Sequence, residues 1–235
     1  MKFVPPECQL CPSRNSSLIG SCLTSELEEL AVHKSSCLFR KGQEVFSEGS
    51  KPSGLHCVHS GKVKITKIGS DGKEQIIRLA RPGDVIGYRS LVADAHYSAS
   101  AVAMEDTVVC FVPKAQFMEL VQENMTFNRN LMLLFSKALG DAEARMTQMA
   151  CKPVRERLAE SLLLLQKTYQ TTGEAQGNFT IAISREDLAS IVGTAKETTI
   201  RLLSELKEEQ IIATKGSRIT ILNPDKLHSI CHLYD

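Results

Sequence analysis

Apolar residues keep one period along a stretch of this chain and then change it, and the changes mark out its elements. Residues 25–31 place Leu27, Leu30 and Ala31 on one face of a short helix. From 37 to 113 the texture is short β-type runs punctuated by glycines such as Gly42, Gly49, Gly61, Gly83 and Gly87. Within it Val63-Lys-Ile-Thr-Lys-Ile68 alternates with period two, Ser70-Asp71-Gly72 supplies hairpin chemistry, and Gln75-Ile-Ile-Arg-Leu79 resumes extended structure. Turn signals at this density predict a β-roll or jelly roll. Residues 1–24, rich in Cys, Ser and Pro, show little periodicity and read as an arm rather than core.

Beyond Pro113 the period becomes helical, over 115–123 and then 126–150. Phe127, Leu131, Leu134, Ala138, Ala142, Met146 and Met149 form a stripe at spacings of three and four, narrow enough for a two-helix seam. Such a stripe also suits packing onto the chain's own β-domain. A helix of ~37 Å, at about 1.5 Å per residue, is longer than that domain needs, which favours a dimer seam.

Pro153 opens a second unit. A helix is predicted over 154–171 with Leu158, Leu162 and Leu165 inward, then a polar loop at 172–177 and a short strand at 179–183. Ser184 caps the next helix in a box-like arrangement with Asp187, and Leu188, Ile191 and Val192 face inward. Gly193 ends it, and Thr194 is placed to cap a helix running from 195 to about 209. Two strands around Lys215-Gly216-Ser217 and a last helix from Asn223 complete the order of a winged helix-turn-helix.

Composition adds limits rather than direction. A chain of 235 residues with 43% hydrophobic and 23% charged residues is ordinary for a folded protein and long enough for two domains. Its net charge of +1 gives no global argument for nucleic acid, and residues 151–235 balance 11 Lys/Arg against 11 Asp/Glu. The first residues lack the apolar segment of a signal peptide, and no run of about 18 apolar residues occurs, so a cytoplasmic protein with no membrane partner is expected. In a reducing compartment eight cysteines point to metal binding, redox sensing or plain burial rather than a disulfide framework.

At 100° per residue, Ala195, Thr198, Thr199, Leu202, Leu203 and Leu206 gather on one side of the 195–209 helix. Lys196, Glu197, Ile200 and Arg201 fall on the other, near the N-terminal end where a recognition helix presents its base readers. Arg201 can donate twice to guanine O6 and N7, and Glu197 can accept from cytosine N4. Glu197 is equally the third residue of a Thr194-x-x-Glu197 capping box, and exposed Lys and Arg occur on any helix, so spacing alone supports either reading.

Ser184-Arg-Glu-Asp-Leu-Ala-Ser-Ile-Val-Gly-Thr-Ala-Lys-Glu-Thr-Thr-Ile-Arg-Leu-Leu203, followed by the Lys215-Gly216 wing, closely resembles the Crp/Fnr family of bacterial transcription regulators. The resemblance extends over most of the chain and includes roll glycines at Gly61, Gly83 and Gly87. It implies an α+β fold: an arm over 1–24, a cyclic-nucleotide-binding-like β-roll over 25–125, a dimerisation helix over 126–150 and a winged helix-turn-helix over 151–235. It also implies a homodimer on double-stranded DNA, with RNA polymerase as a further partner and no catalysis. The family's Glu-Thr/Ser-x-x-Arg operator motif falls on Glu197, Thr198 and Arg201, with Lys196 and Ile200 beside it and Lys215 and Arg218 set to meet phosphate.

The family divides by its signal. One branch holds cyclic AMP through a Gly-Glu-Leu segment and an Arg-Ser pair, where this chain has Gly87-Tyr88-Arg89-Ser90 and Tyr97-Ser98-Ala99-Ser100. With Tyr88 for the Glu and Ser98 for the Arg, the phosphate loses its charge-assisted partner, which argues against cyclic AMP. Arg89, one residue away, keeps another nucleotide or anion open. The other branch carries a [4Fe–4S] cluster and senses oxygen or nitric oxide; Cys8, Cys11, Cys22 and Cys110 answer to its ligands. The gap of ten residues between Cys11 and Cys22 is longer than that branch's usual five. Zinc, redox-active thiols or no cofactor stay open, because Cys-x-x-Cys does not separate them. Cys110 between valines also suits a buried core position, while Cys57, Cys151 and Cys231 read as structural and Cys37 as an alternate ligand.

Two other classes fit the sequence less well. A cupin-like metalloenzyme would need His56-x-x-His59, but residues three apart on a strand face opposite sides. A ligand-sensing module that never touches DNA is opposed by the intact reading helix and wing.

Overall fold

The computed structural model describes residues 5–70, 72–169 and 179–231. Asp71 of the expected hairpin turn, the end of the expected 154–171 helix and the polar loop at 172–177 lie outside the described residues. The chain divides into two compact units, one of residues up to 140 other than 74–76, the other of 74–76 and residues from 141 onward.

The larger unit opens with helix α1 (Thr24–His33), in which the Glu26 carboxylate reaches back to accept from the Leu23 N–H at 2.6 Å. Strands β1 (Ser35–Phe39), β2 (Glu44–Phe46), β3 (Gly54–Ser60), β4 (Val63–Ile68), β5 (Glu74–Ala80) and β6 (Val85–Ile86) follow. After helix α2 (Tyr88–Val92) come β7 (Ser100–Ala103) and β8 (Thr107–Pro113). They form two four-stranded sheets, ordered β1-β8-β3-β6 and β2-β7-β4-β5, which is the expected roll. Antiparallel register sets Cys57 of β3 directly opposite Cys110 of β8.

Helix α3 (Lys114–Glu123) and the long helix α4 (Met125–Cys151) complete this unit, which the division leaves at Gly140 within α4. Asn124 starts α4, its side-chain oxygen accepting from the Phe127 N–H at 2.8 Å while its amide donates to Glu26 at 2.8 Å. The core joins Leu27 and Leu30 of α1 to Leu55, Val112, Phe117 and Phe127, whose rings meet edge to face with Phe117 at 6.0 Å.

Three expectations change here. Ala31 is exposed. The arm is not all loop, because short turns at Arg14–Ser16 and Leu18–Ser21 bury Leu18 and Ile19 in that same core. The stripe on α4 does not stay on one face: Phe127 and Leu131 are fully buried in the larger unit's core, whereas Ala142 and Met146 are exposed, and so are Met132 and Leu139, which lie outside the stripe at seven-residue spacing from Met146. Successive steps of four rotate a helical stripe by about 40° each, so its later members leave the face on which it began.

The smaller unit contains α5 (Val154–Tyr169), β9 (Thr180–Ala182), α6 (Arg185–Val192), α7 (Lys196–Glu208), β10 (Ile212–Lys215), β11 (Arg218–Ile221) and α8 (Pro224–Cys231). Leu158, Leu162 and Leu165 are buried as expected, and the wing sheet runs β10-β11-β9. At the start of α6 the Ser184 hydroxyl accepts from the Asp187 N–H at 2.9 Å and donates to its carboxylate at 2.8 Å. Gly193 ends the helix in the left-handed region at φ +71°, where a side chain would also meet Met149 Sδ at 2.7 Å. Thr194 does not cap α7: its N–H closes the end of α6 on the Ala189 carbonyl at 3.1 Å. Ala195 takes the N-cap position without a side-chain bond, so Glu197 sits in the first turn and no capping box forms.

Candidate functional site

Helix α7 buries one side and shows the other. Thr199, Leu202, Leu203 and Leu206 are buried, Thr198 is half-buried, and Lys196, Glu197, Ile200 and Arg201 are exposed on consecutive turns. Ala195, expected on the inner side, is exposed. With no capping box, the exposed Glu197 carboxylate is tied to no backbone N–H by capping and supports the helix start only as a first-turn acid.

The cations on this face are held by local partners. Arg201 donates to Glu205 at 2.6 Å, four residues on, and Glu205 also meets Arg155 of α5 at 3.4 Å. Lys196 pairs with Glu186 of α6; that hydrogen bond raises the Lys196 pKa and lowers the Glu186 pKa from their ordinary values. Across the wing turn, exposed Lys215 and Arg218 stand opposite each other in register. Arg185 of α6 donates to the Gly216 carbonyl at 2.9 Å and so ties the wing tip to the helix-turn-helix, a link that no sequence period signals.

In the roll, Gly87 has φ +82° and leads into α2, where Tyr88 is buried. The Tyr88 ring belongs to the hydrophobic core, packs edge-on against Phe135 at 5.2 Å and has the Arg78 guanidinium 5.9 Å from its centroid. Arg89 and Ser98 are exposed. Between them in sequence, Tyr97 is buried and stacks on Phe46 at 3.9 Å. Tyr88 is therefore a core residue rather than a free pocket wall.

A small cavity of about 50 Å³ lies elsewhere, between the arm and the β1-β8-β3-β6 sheet. Cys8 and Cys11 of the arm line it together with Cys57 and His59 of β3, Cys110 of β8 and Lys34. Cys11 Sγ is 3.5 Å from His59 Nδ1, and the Ser36 hydroxyl donates to Cys110 Sγ at 3.4 Å. Burial raises the Cys8 thiol pKa despite the lowering by nearby Lys34, and burial pushes the Cys57 thiol well above the ordinary range. Cys22 is not in the cavity wall but is close enough to Cys8 and Cys57 to interact electrostatically with both; burial, reinforced by the Glu26 carboxylate, pushes it up to about 12. Cys57, read from sequence as structural, faces Cys110 and belongs to the cavity. The only sequence signal for it was the alternation that puts Cys57 and His59 on the same side of β3.

Among the described residues, no three His, Cys, Asp or Glu converge closely enough to hold a single metal ion. No helix of the described residues is long and apolar enough to cross a membrane.

Comparison with known proteins bears on both units. A cyclic nucleotide-binding domain model matches residues 37–124, and a Crp-like helix-turn-helix domain model matches 156–230. The fumarate and nitrate reduction regulatory protein of Vibrio cholerae is 29% identical over 221 residues, covering 94% of this chain and 88% of that one. The transcriptional activator protein Anr of Pseudomonas protegens is 28% identical over 188 residues, covering 80% and 77%. Among solved structures, FixK2 from Bradyrhizobium japonicum superposes with a TM-score of 0.74 at 28% identity, covering 84% of this chain and 96% of that one.

Proposed function

This chain belongs to the Crp/Fnr family of transcriptional regulators, and from that premise we propose that it works as a homodimer, reads its operator with α7 and takes its signal at the cysteine cavity. On the DNA side, Arg201 is the guanine reader, exchanging its bond to Glu205 for two bonds to O6 and N7. Glu197 accepts from a cytosine N4 and Ile200 packs on a thymine methyl, while Lys196 adds a contact once it leaves Glu186 and Thr198 supports the motif. Lys215 and Arg218 neutralise phosphates from the wing.

Two half-sites one helical turn apart need two linked readers. The exposed heptad positions Met132, Leu139 and Met146 supply an apolar face for the second copy. RNA polymerase is the partner through which such a dimer alters transcription.

The signal reading rests on one observation: thiols from the arm and from two strands of the roll line one cavity. The donor set is soft thiolate, which suits an iron–sulfur cluster or zinc. A lone zinc needs its sulfurs at about 2.3 Å from one point, and the described cysteines do not converge in that way, so either group would require the arm to draw in toward the sheet. When bound, a cluster supplies a centre that reacts with oxygen or nitric oxide. Cyclic AMP does not fit the reading, because the position that would hold its ribose is a buried Tyr88 and its phosphate partner is Ser98.

Protein purified without oxygen should be brown, contain about four irons per chain and bleach in air. It should also shift DNA selected from a random-sequence pool. Colourless protein without iron overturns the cluster, and stoichiometric zinc replaces it with a structural metal.

A further inference from the structure

Arg201 of the reading face is held by more than a single surface ion pair. It donates to Glu205 at 2.6 Å. Arg155 of α5 also meets Glu205, at 3.4 Å, and donates to both oxygens of Glu209, at 2.5 and 2.8 Å. Two guanidinium groups and two carboxylates thus form one chain of bonds from α5 to the C-terminal end of α7. Its inner members are half-buried and its outer one is free to turn: the Arg155 and Glu205 side chains are 33% and 34% exposed, and Arg201 is 66% exposed.

We propose that Glu205 is a positioning residue of the reading helix, which competes with operator guanine for Arg201 and so holds operator affinity down, while Arg155 keeps the Glu205 carboxylate paired when Arg201 leaves for the base. This rests on the reading of α7 as the operator reader and adds the residue that restrains it.

Helix stability does not account for Glu205. It lies in the last turn of α7, where the partial negative charge of the helix end disfavours a carboxylate. Its pair with Arg201 has the cation N-terminal to the anion, the weaker order for residues four apart. Nor does Arg155 depend on it, because Arg155 already has both oxygens of Glu209. What Glu205 does by its position is occupy Arg201.

The consequence depends on the DNA sequence. With guanine in place, Arg201 must give up Glu205 before it can donate to O6 and N7, so the pair subtracts from the affinity. Where that guanine is absent, Arg201 has no bidentate partner and stays with Glu205, and the pair subtracts nothing. Removing the Glu205 charge therefore tightens binding to the guanine operator selectively. A carboxylate that acted only by repelling phosphates would instead weaken binding to every sequence alike. Ion pairs this exposed are individually modest, so the expected gain is about two- to fivefold for each half-site.

The test is a double-mutant cycle on the full chain at one salt concentration. Affinity is measured for a duplex selected by wild type from a random-sequence pool, and for the same duplex with the guanine pair changed to A·T in both half-sites. Wild type, Glu205→Gln, Arg201→Ala and the double variant are compared, and circular dichroism confirms each fold. Glu205→Gln should bind the selected duplex more tightly by the stated factor and the changed duplex as wild type does. In the Arg201→Ala background it should alter neither affinity. Should Glu205→Gln fail to fold, Arg155→Gln decides: Glu205 then has Arg201 as its remaining partner in the chain of bonds, and the selected duplex should bind more weakly, only while Arg201 is present. Equal tightening on both duplexes, or tightening that persists without Arg201, makes Glu205 a general charge and overturns the proposal. Unchanged or weaker binding of the selected duplex by folded Glu205→Gln overturns it as well. Each of these results leaves α7 as the reader. If Arg201→Ala binds both duplexes as wild type does, it is the reading by α7 that fails.

Discussion

The exposed face of α7 and the cysteine cavity gather a similar number of side chains by different means. Glu197, Thr198, Ile200 and Arg201 come from five consecutive residues, placed side by side by the helical period. Cys8 and Cys11, Cys57, and Cys110 come from three segments far apart in sequence, and only the pairing of β3 with β8 brings the last two together. The first kind of site survives small shifts elsewhere in the chain. The second depends on strand register, in which a slip of one residue turns a side chain to the other face.

Loss of the metal centre is the largest effect expected from this contrast. Cys110→Ala should abolish the iron content of anaerobically reconstituted protein, while Cys231→Ala, buried in α8, should leave it at the wild-type value. Retention of iron by Cys110→Ala would break the link between the cavity and the cofactor.

Next in size is the seam. Met132→Lys or Leu139→Glu places a charge on the exposed face of α4, away from the core that holds Phe127 and Leu131. Sedimentation should show monomers, and operator affinity should fall by at least ~10²-fold as two linked readers become independent ones. Undiminished dimerisation of both variants would move the seam to another surface.

Smaller, and confined to the reading helix, is Arg201→Ala. On an operator fragment it should cost roughly 1–3 kcal/mol, a loss of about 5- to 150-fold in affinity. Iron content should not change, which separates the two sites. The smallest effect belongs to the wing. Lys215→Ala and Arg218→Ala should each reduce the slope of log affinity against log salt by about 0.9 without changing which sequence is preferred. Loss of base discrimination in either variant would mean the wing reads bases.

The contrast also explains what could be read before the fold was known. Period two over 63–68 and the cap at Ser184 are local signals, and β4 and the start of α6 stand where they indicated. The outward Lys196, Glu197, Ile200 and Arg201 followed from 100° per residue alone. Thr194 misled because it has the chemistry of a cap, yet its N–H is needed one turn back, on Ala189, to finish α6. Leu18 and Ile19 were hidden by the polar residues around them: two adjacent apolar positions in a Ser-rich stretch have no period, although both are buried. Cys57 was hidden for a different reason, since nothing within β3 reveals that Cys110 stands across from it. Phe127 and Met146 shared one stripe in sequence and occupy two faces in space, because spacings of four accumulate a rotation that the eye does not.

Operator selection from random-sequence DNA, run in parallel with wild type and Arg201→Ala, tests the central claim most directly. Wild type should enrich a two-fold symmetric motif whose half-sites are about one helical turn apart, each with a sharply specified G·C pair. Arg201→Ala should enrich the same motif with that one pair relaxed. If both proteins enrich the same motif equally sharply, α7 does not read the operator through Arg201 and the account fails at its centre.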